Sequence, residues 1–144
     1  MDYLIDTCIL SEFTKPRPAL SVDHWVAATP EAAQFVSVLT LGELEKGIHK
    51  LPASRRREML ERWLVELRAR FSGRILDVSE AVALEWGRVS ARAEKGGQPV
   101  PVIDAFLGAT ALVHDLVVVT RNSSDIDRTG AKLLDPWQER DRSR

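Results

Sequence analysis

The feature that most constrains how this chain can fold is the nearly continuous run of β-branched residues at Leu116–Val119. Such a run is typical of a central parallel strand that helices cover on both faces. Other short β-rich runs occur at Tyr3–Ile5, Gln34–Val38, Arg74–Val78 and Lys132–Leu134. We therefore expect a sheet of about five short strands, most of them parallel.

Segments with helical periodicity separate these strands. They are predicted at Thr7–Leu10, Ala19–Ala28, Thr40–Ile48, Ser54–Phe71, Ser79–Ala93 and Val102–Leu112. Thr40 is the expected N-cap of the third of them, and Thr120–Asp125 is expected to be a polar loop at the end of the Leu116–Val119 strand. Parallel strands joined by helices need right-handed crossovers, so the pattern predicts a three-layer α/β/α sandwich with a mainly parallel central sheet. Residues 1–137 fit one domain, and residues 138–144 form a charged tail.

Composition restricts the class of protein. Apolar residues make up 44% and charged residues 28% of the 144 residues, which suits one compact core. No apolar run approaches the roughly 20 residues of a membrane span, and no signal peptide pattern is present, so we expect a cytoplasmic protein. The single cysteine, Cys8, cannot form an internal disulfide and is interpreted as a small buried residue. A net charge of −1 means that any nucleic-acid binding must use a local basic surface.

Asp6 stands where the first predicted strand ends. In open α/β sheets, ligands bind outside the carboxyl ends of the strands, so a carboxylate there is a candidate site residue. Aspartate is also a favoured helix N-cap, and Asp6-Thr7 precedes a helical segment. Asp6 alone does not distinguish these two interpretations.

Three more acids follow strand ends or lie in the next helix: Glu43, Asp104 and Asp125. Glu43 and Glu45 are two positions apart on one helix, so only one of them can face the same crevice. Several carboxylates in one pocket repel one another unless a cation neutralises them. Hard oxygen ligands suit Mg²⁺ or Mn²⁺. Acids are common in the loops of any α/β protein, however, so spacing alone leaves a surface role open.

Four motifs, in order along the chain, carry a family resemblance: LIDTCILSE, TLGELEKGIHK, VPVIDAFLGATALVHDLVVVTRNSSDI and LLDPW. Together they resemble the PIN-domain ribonucleases, specifically the VapC-type toxins of bacterial toxin–antitoxin pairs and their FitB-like relatives. The resemblance implies a PIN-like α/β/α fold and Mg²⁺- or Mn²⁺-dependent cleavage of RNA. It also implies a homodimer, inhibition by a cognate VapB-type antitoxin, and contact with DNA only through that antitoxin.

The resemblance also assigns roles to residues. The family's first three acids fall on Asp6, Glu43 and Asp104, of which Asp6 and Asp104 are the expected metal ligands. The fourth acidic position falls on Asn122 or, as we favour, on Asp125. Thr120 and Asn122 either orient a water bound to the metal or only end the strand and cap the next turn.

The predicted function is that of a metal-dependent endoribonuclease toxin that cleaves RNA with a metal-activated water. Such hydrolysis leaves a 5′-phosphate and a 3′-hydroxyl. The alternatives are a non-cleaving binding module of a toxin–antitoxin complex on DNA, and a metal-dependent DNase. The apolar faces of the helices between Ala19 and Phe71 are the expected groove for an antitoxin helix. Glu12 is expected either to position Arg121 or to lie on the surface.

Overall fold

The computed structural model describes residues 1–138, and the predicted charged tail lies outside the described residues except for Gln138. Its sheet has five strands in the order β3-β2-β1-β4-β5, and every neighbouring pair is parallel. The strands are β1 (Asp2–Ile5), β2 (Gln34–Ser37), β3 (Ile75–Leu76), β4 (Leu116–Val119) and β5 (Leu133–Leu134). All five predicted strands are therefore confirmed.

Helices connect the strands. They are α1 (Thr7–Glu12), α2 (Leu20–Ala28), α3 (Val38–His49), α4 (Arg55–Arg70), α5 (Glu80–Lys95), α6 (Val102–His114) and α7 (Ser123–Asp127), and a short 3-10 turn covers Glu31–Ala33. No helix in residues 1–138 is long and apolar enough to cross a bilayer.

The register of β1 against β4 shows how the core is divided. Leu4 lies opposite Val118 and Ile5 opposite Val119. Leu4 and Val118 pack in one apolar cluster, while Ile5 and Val119 pack in another. Because successive side chains of a strand point to opposite faces, the two clusters lie on the two sides of the sheet. The predicted α/β/α sandwich is confirmed.

Two local predictions were wrong. Helix α3 is capped by Ser37 rather than Thr40, and the Ser37 hydroxyl accepts a hydrogen bond from the Leu39 amide at 3.0 Å. Ser37 has the extended backbone of an N-cap, whereas Thr40 is fully buried inside the helix. The segment expected to be a polar loop up to Asp125 forms α7 from Ser123 onward. Five residues are too few to show a helical period in the sequence.

Gly108 brings α6 close to the segment that follows α7. A Cβ atom at this position would overlap the Thr129 side chain. Thr129 is itself buried, and its hydroxyl donates to the Ile126 carbonyl. The missing side chain therefore lets the helix that carries Asp104 pack directly against the chain that carries Asp125.

Candidate active site

Asp6 lies between the ends of the two central strands and is 7% exposed. Its Oδ1 atom accepts a hydrogen bond from the Thr7 amide at 2.7 Å, so it is the N-cap of α1. Its Oδ2 atom accepts a hydrogen bond from the Thr120 hydroxyl at 2.8 Å. The capping interpretation is confirmed, and the same contacts fix the carboxylate at the carboxyl edge of the sheet.

Thr120 connects β4 to the loop that follows it. The residue is fully buried, and its hydroxyl also accepts a hydrogen bond from the Asn122 amide at 2.9 Å. Thr120 thus ends the strand and orients Asp6 at the same time.

Cys8 is half-buried beside Asp6, with 3.7 Å from its Sγ atom to Asp6 Oδ2. The Arg121 amide donates to Cys8 Sγ at 3.4 Å. Burial, and after it the negative charge of Asp6, raises the pKa of the Cys8 thiol to about 11. The thiol is therefore protonated at neutral pH, and its partial burial agrees with the interpretation of Cys8 as a small buried residue.

Glu43 joins this cluster from α3. The Thr7 hydroxyl donates to Glu43 Oε1 at 2.7 Å, which links α1 to α3. Glu45, by contrast, is exposed and pairs with His49 at 2.6 Å. The prediction that only one of the two glutamates faces the site is confirmed.

Asp104 approaches from the first turn of α6 and is partly buried. Its Oδ2 atom accepts a hydrogen bond from the Asn122 side-chain amide at 3.0 Å. Burial raises the pKa of Asp104, and the charges of Asp6 and Glu43 raise it further, while the Asn122 hydrogen bond and the charge of Arg128 act in the opposite direction. Three carboxylates from three separate segments therefore face one another.

The family model for the PIN domain matches residues 3–132. The chain belongs to the PIN domain family. It is 28% identical to VapC ribonuclease Y4jK of Sinorhizobium fredii over 136 aligned residues. This alignment covers 94% of this chain and 97% of that protein. Toxin FitB of Neisseria gonorrhoeae is 28% identical over 137 residues, covering 94% and 99%. The solved structure of FitAB bound to an IR36 DNA fragment superposes with a TM-score of 0.90 at 26% identity, covering 94% of this chain and 96% of that one.

Whether this PIN domain can bind a metal ion depends on the atoms that it offers as metal ligands. Within residues 1–138, no group of three acidic, histidine or cysteine side chains has the arrangement needed to hold a metal ion. The chemistry of Asp6, Glu43 and Asp104 nevertheless fits a hard divalent cation, because all donors are carboxylate oxygens and the charge of each of the other two raises the pKa of Asp104. The donor set therefore fits such an ion by its chemistry.

Asp125 differs from the other three acids of the PIN domain. Its Oδ2 atom accepts a hydrogen bond from the Asn122 side-chain amide at 2.9 Å, and its Oδ1 atom pairs with the Arg128 guanidinium. Asn122 thus contacts both Asp104 and Asp125. Asn122 and Asp125, the two candidates for the family's fourth acidic position, therefore lie next to each other. Of the two, Asn122 forms the hydrogen bond to Asp104.

Sequence reasoning missed two contributors, Thr7 and Arg128. Thr7 was expected only as part of a cap, although its hydroxyl orients Glu43. Arg128 was missed because it follows the short helix α7, which was not predicted, so no sequence pattern indicated its pairing with Asp125. Glu12, for which a surface role was open, is buried and accepts from the Ala19 amide at 3.1 Å and from Lys15 at 2.9 Å.

Proposed function

We propose that this PIN domain is a metal-dependent endoribonuclease and the toxin of a toxin–antitoxin pair. The observation that carries the proposal is the meeting of Asp6, Glu43 and Asp104 at the carboxyl edge of the sheet, where burial, and after it the charges of Asp6 and Glu43, raises the pKa of Asp104. The similar proteins named VapC ribonuclease and Toxin FitB support the same function.

Asp6 and Asp104 are the residues that would hold Mg²⁺, with Mn²⁺ as a substitute. A divalent cation in such a site activates water, orients the phosphodiester and stabilises the leaving oxygen. Glu43 either completes the ligand set or takes the proton of the attacking water, and the Thr7 hydroxyl holds it in position for both roles. Hydrolysis of this kind needs no 2′-hydroxyl, so the products should carry a 5′-phosphate and a 3′-hydroxyl.

The remaining polar groups orient these carboxylates. Thr120 and the Thr7 amide fix the two oxygens of Asp6, and Asn122 fixes one oxygen of Asp104. Asp125 completes the pocket through Asn122. A pocket oriented in advance loses little free energy to reorganisation during the reaction.

An apolar groove between helices is the surface that we propose for an antitoxin helix. It lies between α1, α2 and α4, is lined by Leu10, Phe13, Val26, Trp63 and Phe71, and has a volume of about 410 Å³. Arg70 and Glu31 pair at its rim at 2.7 Å. An amphipathic helix can lay its apolar face into a groove of this kind.

The other partners belong to the same proposal. We infer a cytoplasmic homodimer that reaches DNA only through its antitoxin. The DNA-bound FitAB structure supports such an arrangement.

The test compares wild type with Asp104→Asn and with Asp115→Asn on pooled tRNA and ribosomal RNA, each with Mg²⁺, Mn²⁺ or EDTA. Asp115 is exposed at the opposite end of α6, in the left-handed conformation that asparagine tolerates, so it is the matched control. We expect discrete products from wild type and Asp115→Asn, and a loss of about 10³-fold for Asp104→Asn, because a metal supplies several kcal/mol of transition-state stabilisation.

Three outcomes would contradict the proposal. Cleavage that persists in EDTA would exclude the metal, and products with 2′,3′-cyclic phosphate ends would exclude attack by water. Equal cleavage of DNA oligonucleotides of matched sequence would favour a DNase.

A further inference from the structure

Arg128 follows α7 directly and contacts three residues in two segments around the site. Its Nη2 atom pairs with Asp125 Oδ1. Its Nη1 atom donates to the Pro99 carbonyl at 3.2 Å, and its Nε atom lies 3.4 Å from the Ser124 carbonyl. Pro99 lies just before α6, the helix that carries Asp104. One guanidinium therefore connects α7 to the chain that leads into α6.

Asp125 has a protein partner on each carboxylate oxygen. Oδ1 is held by Arg128 and Oδ2 by the Asn122 amide at 2.9 Å. Its negative charge is directly compensated by a guanidinium, which is the strongest side-chain partner for a carboxylate. Among residues 1–138, the hydrogen-bond partners of Asp6 and Glu43 are neutral groups.

Asn122 connects this ion pair to Asp104. A side-chain amide has two hydrogens, and here both go to carboxylates, at 3.0 Å to Asp104 Oδ2 and 2.9 Å to Asp125 Oδ2. The opposite amide orientation would place a carbonyl oxygen against two carboxylates. The backbone of Asn122 is fixed as well, because its amide donates to Thr120 at 2.9 Å. The orientation of Asn122 therefore depends on Asp125 staying in place.

We propose that Arg128 is a positioning residue, which clamps Asp125 so that Asp125 holds the Asn122 amide against Asp104. In this Arg128–Asp125–Asn122–Asp104 relay, Asp125 acts through Asn122 rather than as a metal ligand. The proposal rests on the proposed function, since it assigns Asp104 as the group that is positioned. Groups that orient a metal ligand typically contribute 10- to 100-fold to metal affinity or activity.

The first test observes the relay in the metal-free protein, by NMR of the Asn122 side-chain amide and the Arg128 Nε–H group. We expect shifted, exchange-protected Asn122 amide signals in the wild type. In Arg128→Ala and in Asp125→Ala these signals should move toward those of a free asparagine. The control is Arg88→Ala, because Arg88 also pairs with an acid three residues away, Glu85 at 2.8 Å, but on α5. Unchanged Asn122 signals in Arg128→Ala would overturn the relay.

The second test is a double-mutant cycle that measures Mn²⁺ affinity by calorimetry and RNA cleavage by steady-state kinetics. We expect Arg128→Ala and Asp125→Ala each to lower Mn²⁺ affinity and kcat by 10- to 100-fold with KM unchanged. The double variant should lose no more than the worse single variant, because both changes break the same relay. Thermal unfolding of each variant checks that it is folded.

Additive losses in the double variant would contradict the proposed relay, because they would show that Arg128 and Asp125 act independently. A raised KM for Arg128→Ala would also contradict it and would indicate that Arg128 contacts RNA directly. A wild type that binds no Mn²⁺ and cleaves no RNA would overturn the proposed function, and with it the purpose of the relay. A wild type that binds Mn²⁺ while the losses are additive would overturn only the relay.

Discussion

The two sides of the acidic pocket are built in different ways. On one side, Asp6 and Glu43 are held by hydroxyl and amide groups from Thr7 and Thr120. Among residues 1–138, neither forms a salt bridge. On the other side, Asp125 pairs with Arg128.

The difference separates orientation from charge compensation. A neutral donor fixes where a carboxylate oxygen lies but leaves its negative charge in place, whereas a guanidinium does both. The side without a cation is therefore the side at which we propose that an external cation binds. Asp104 lies between the two: it accepts a hydrogen bond from the neutral Asn122 amide, and the charge of Arg128 lowers its pKa against the effect of burial.

The largest expected effect is the difference between Asp6→Asn and Asp125→Asn. Each replaces a carboxylate by an amide of the same shape. Asp6→Asn should lower kcat about 10³-fold because it removes a proposed metal ligand. Asp125→Asn should lower it about tenfold because it weakens only a partner of Asn122. Matched RNA cleavage assays measure both, and equal losses would show that the two sides are equivalent.

Thr120→Val tests how much of the Asp6 side depends on orientation. The change keeps the shape but removes the hydroxyl that contacts both Asp6 and Asn122. We expect Mn²⁺ affinity to fall about 10-fold or more and the free energy of unfolding to fall by about 1–3 kcal/mol. Thr120→Ser keeps the hydroxyl and is the control. If calorimetry gives the same Mn²⁺ affinity for Thr120→Val as for wild type, the hydroxyl does not orient the site.

The strands and the acids were predictable because their signals are local. A buried parallel strand such as Leu116–Val119 needs apolar residues on both faces, and an acid directly after a strand, such as Asp6, must lie at the sheet edge. Asp104 was detectable as the polar exception in an apolar helix. The family resemblance, more than spacing, selected these acids from the others.

The partners of the acids were not predictable, because they depend on how segments far apart in sequence meet. Thr7 reaches Glu43 across 36 residues, and Asn122 reaches Asp104 across 18. Neither separation corresponds to the period of a helix or a strand, so the sequence pattern does not indicate either contact. The roles of Asn122 and Asp125 stayed open for the same reason, since nothing in the sequence shows that Arg128 compensates one of them.

Asp104→Asn should raise the thermal stability of the metal-free protein at neutral pH. The raised pKa of Asp104 means that the folded state disfavours its charge. The resulting destabilisation is present above the pKa of the folded state and disappears as the pH falls below the pKa of the unfolded chain. The gain in Tm of Asp104→Asn should therefore vanish in acid. A Tm difference that does not depend on pH would show that burial and the charges of Asp6 and Glu43 do not raise the pKa of Asp104 in the folded protein.

The smallest expected effect concerns the reactivity of the Cys8 thiol. Cys8 lies beside Asp6, and the charge of Asp6 raises the pKa of the thiol. With a pKa of about 11, the thiol should react slowly with iodoacetamide at neutral pH, and the rate should rise with pH up to that value. Asp6→Asn removes a charge that disfavours the thiolate but leaves the burial, which is the larger cause. We therefore expect faster alkylation, by less than about tenfold, since each pKa unit changes the thiolate fraction tenfold. If Asp6→Asn reacts no faster than wild type, a group in the folded protein already neutralises Asp6, and the contrast between the two sides of the pocket is lost.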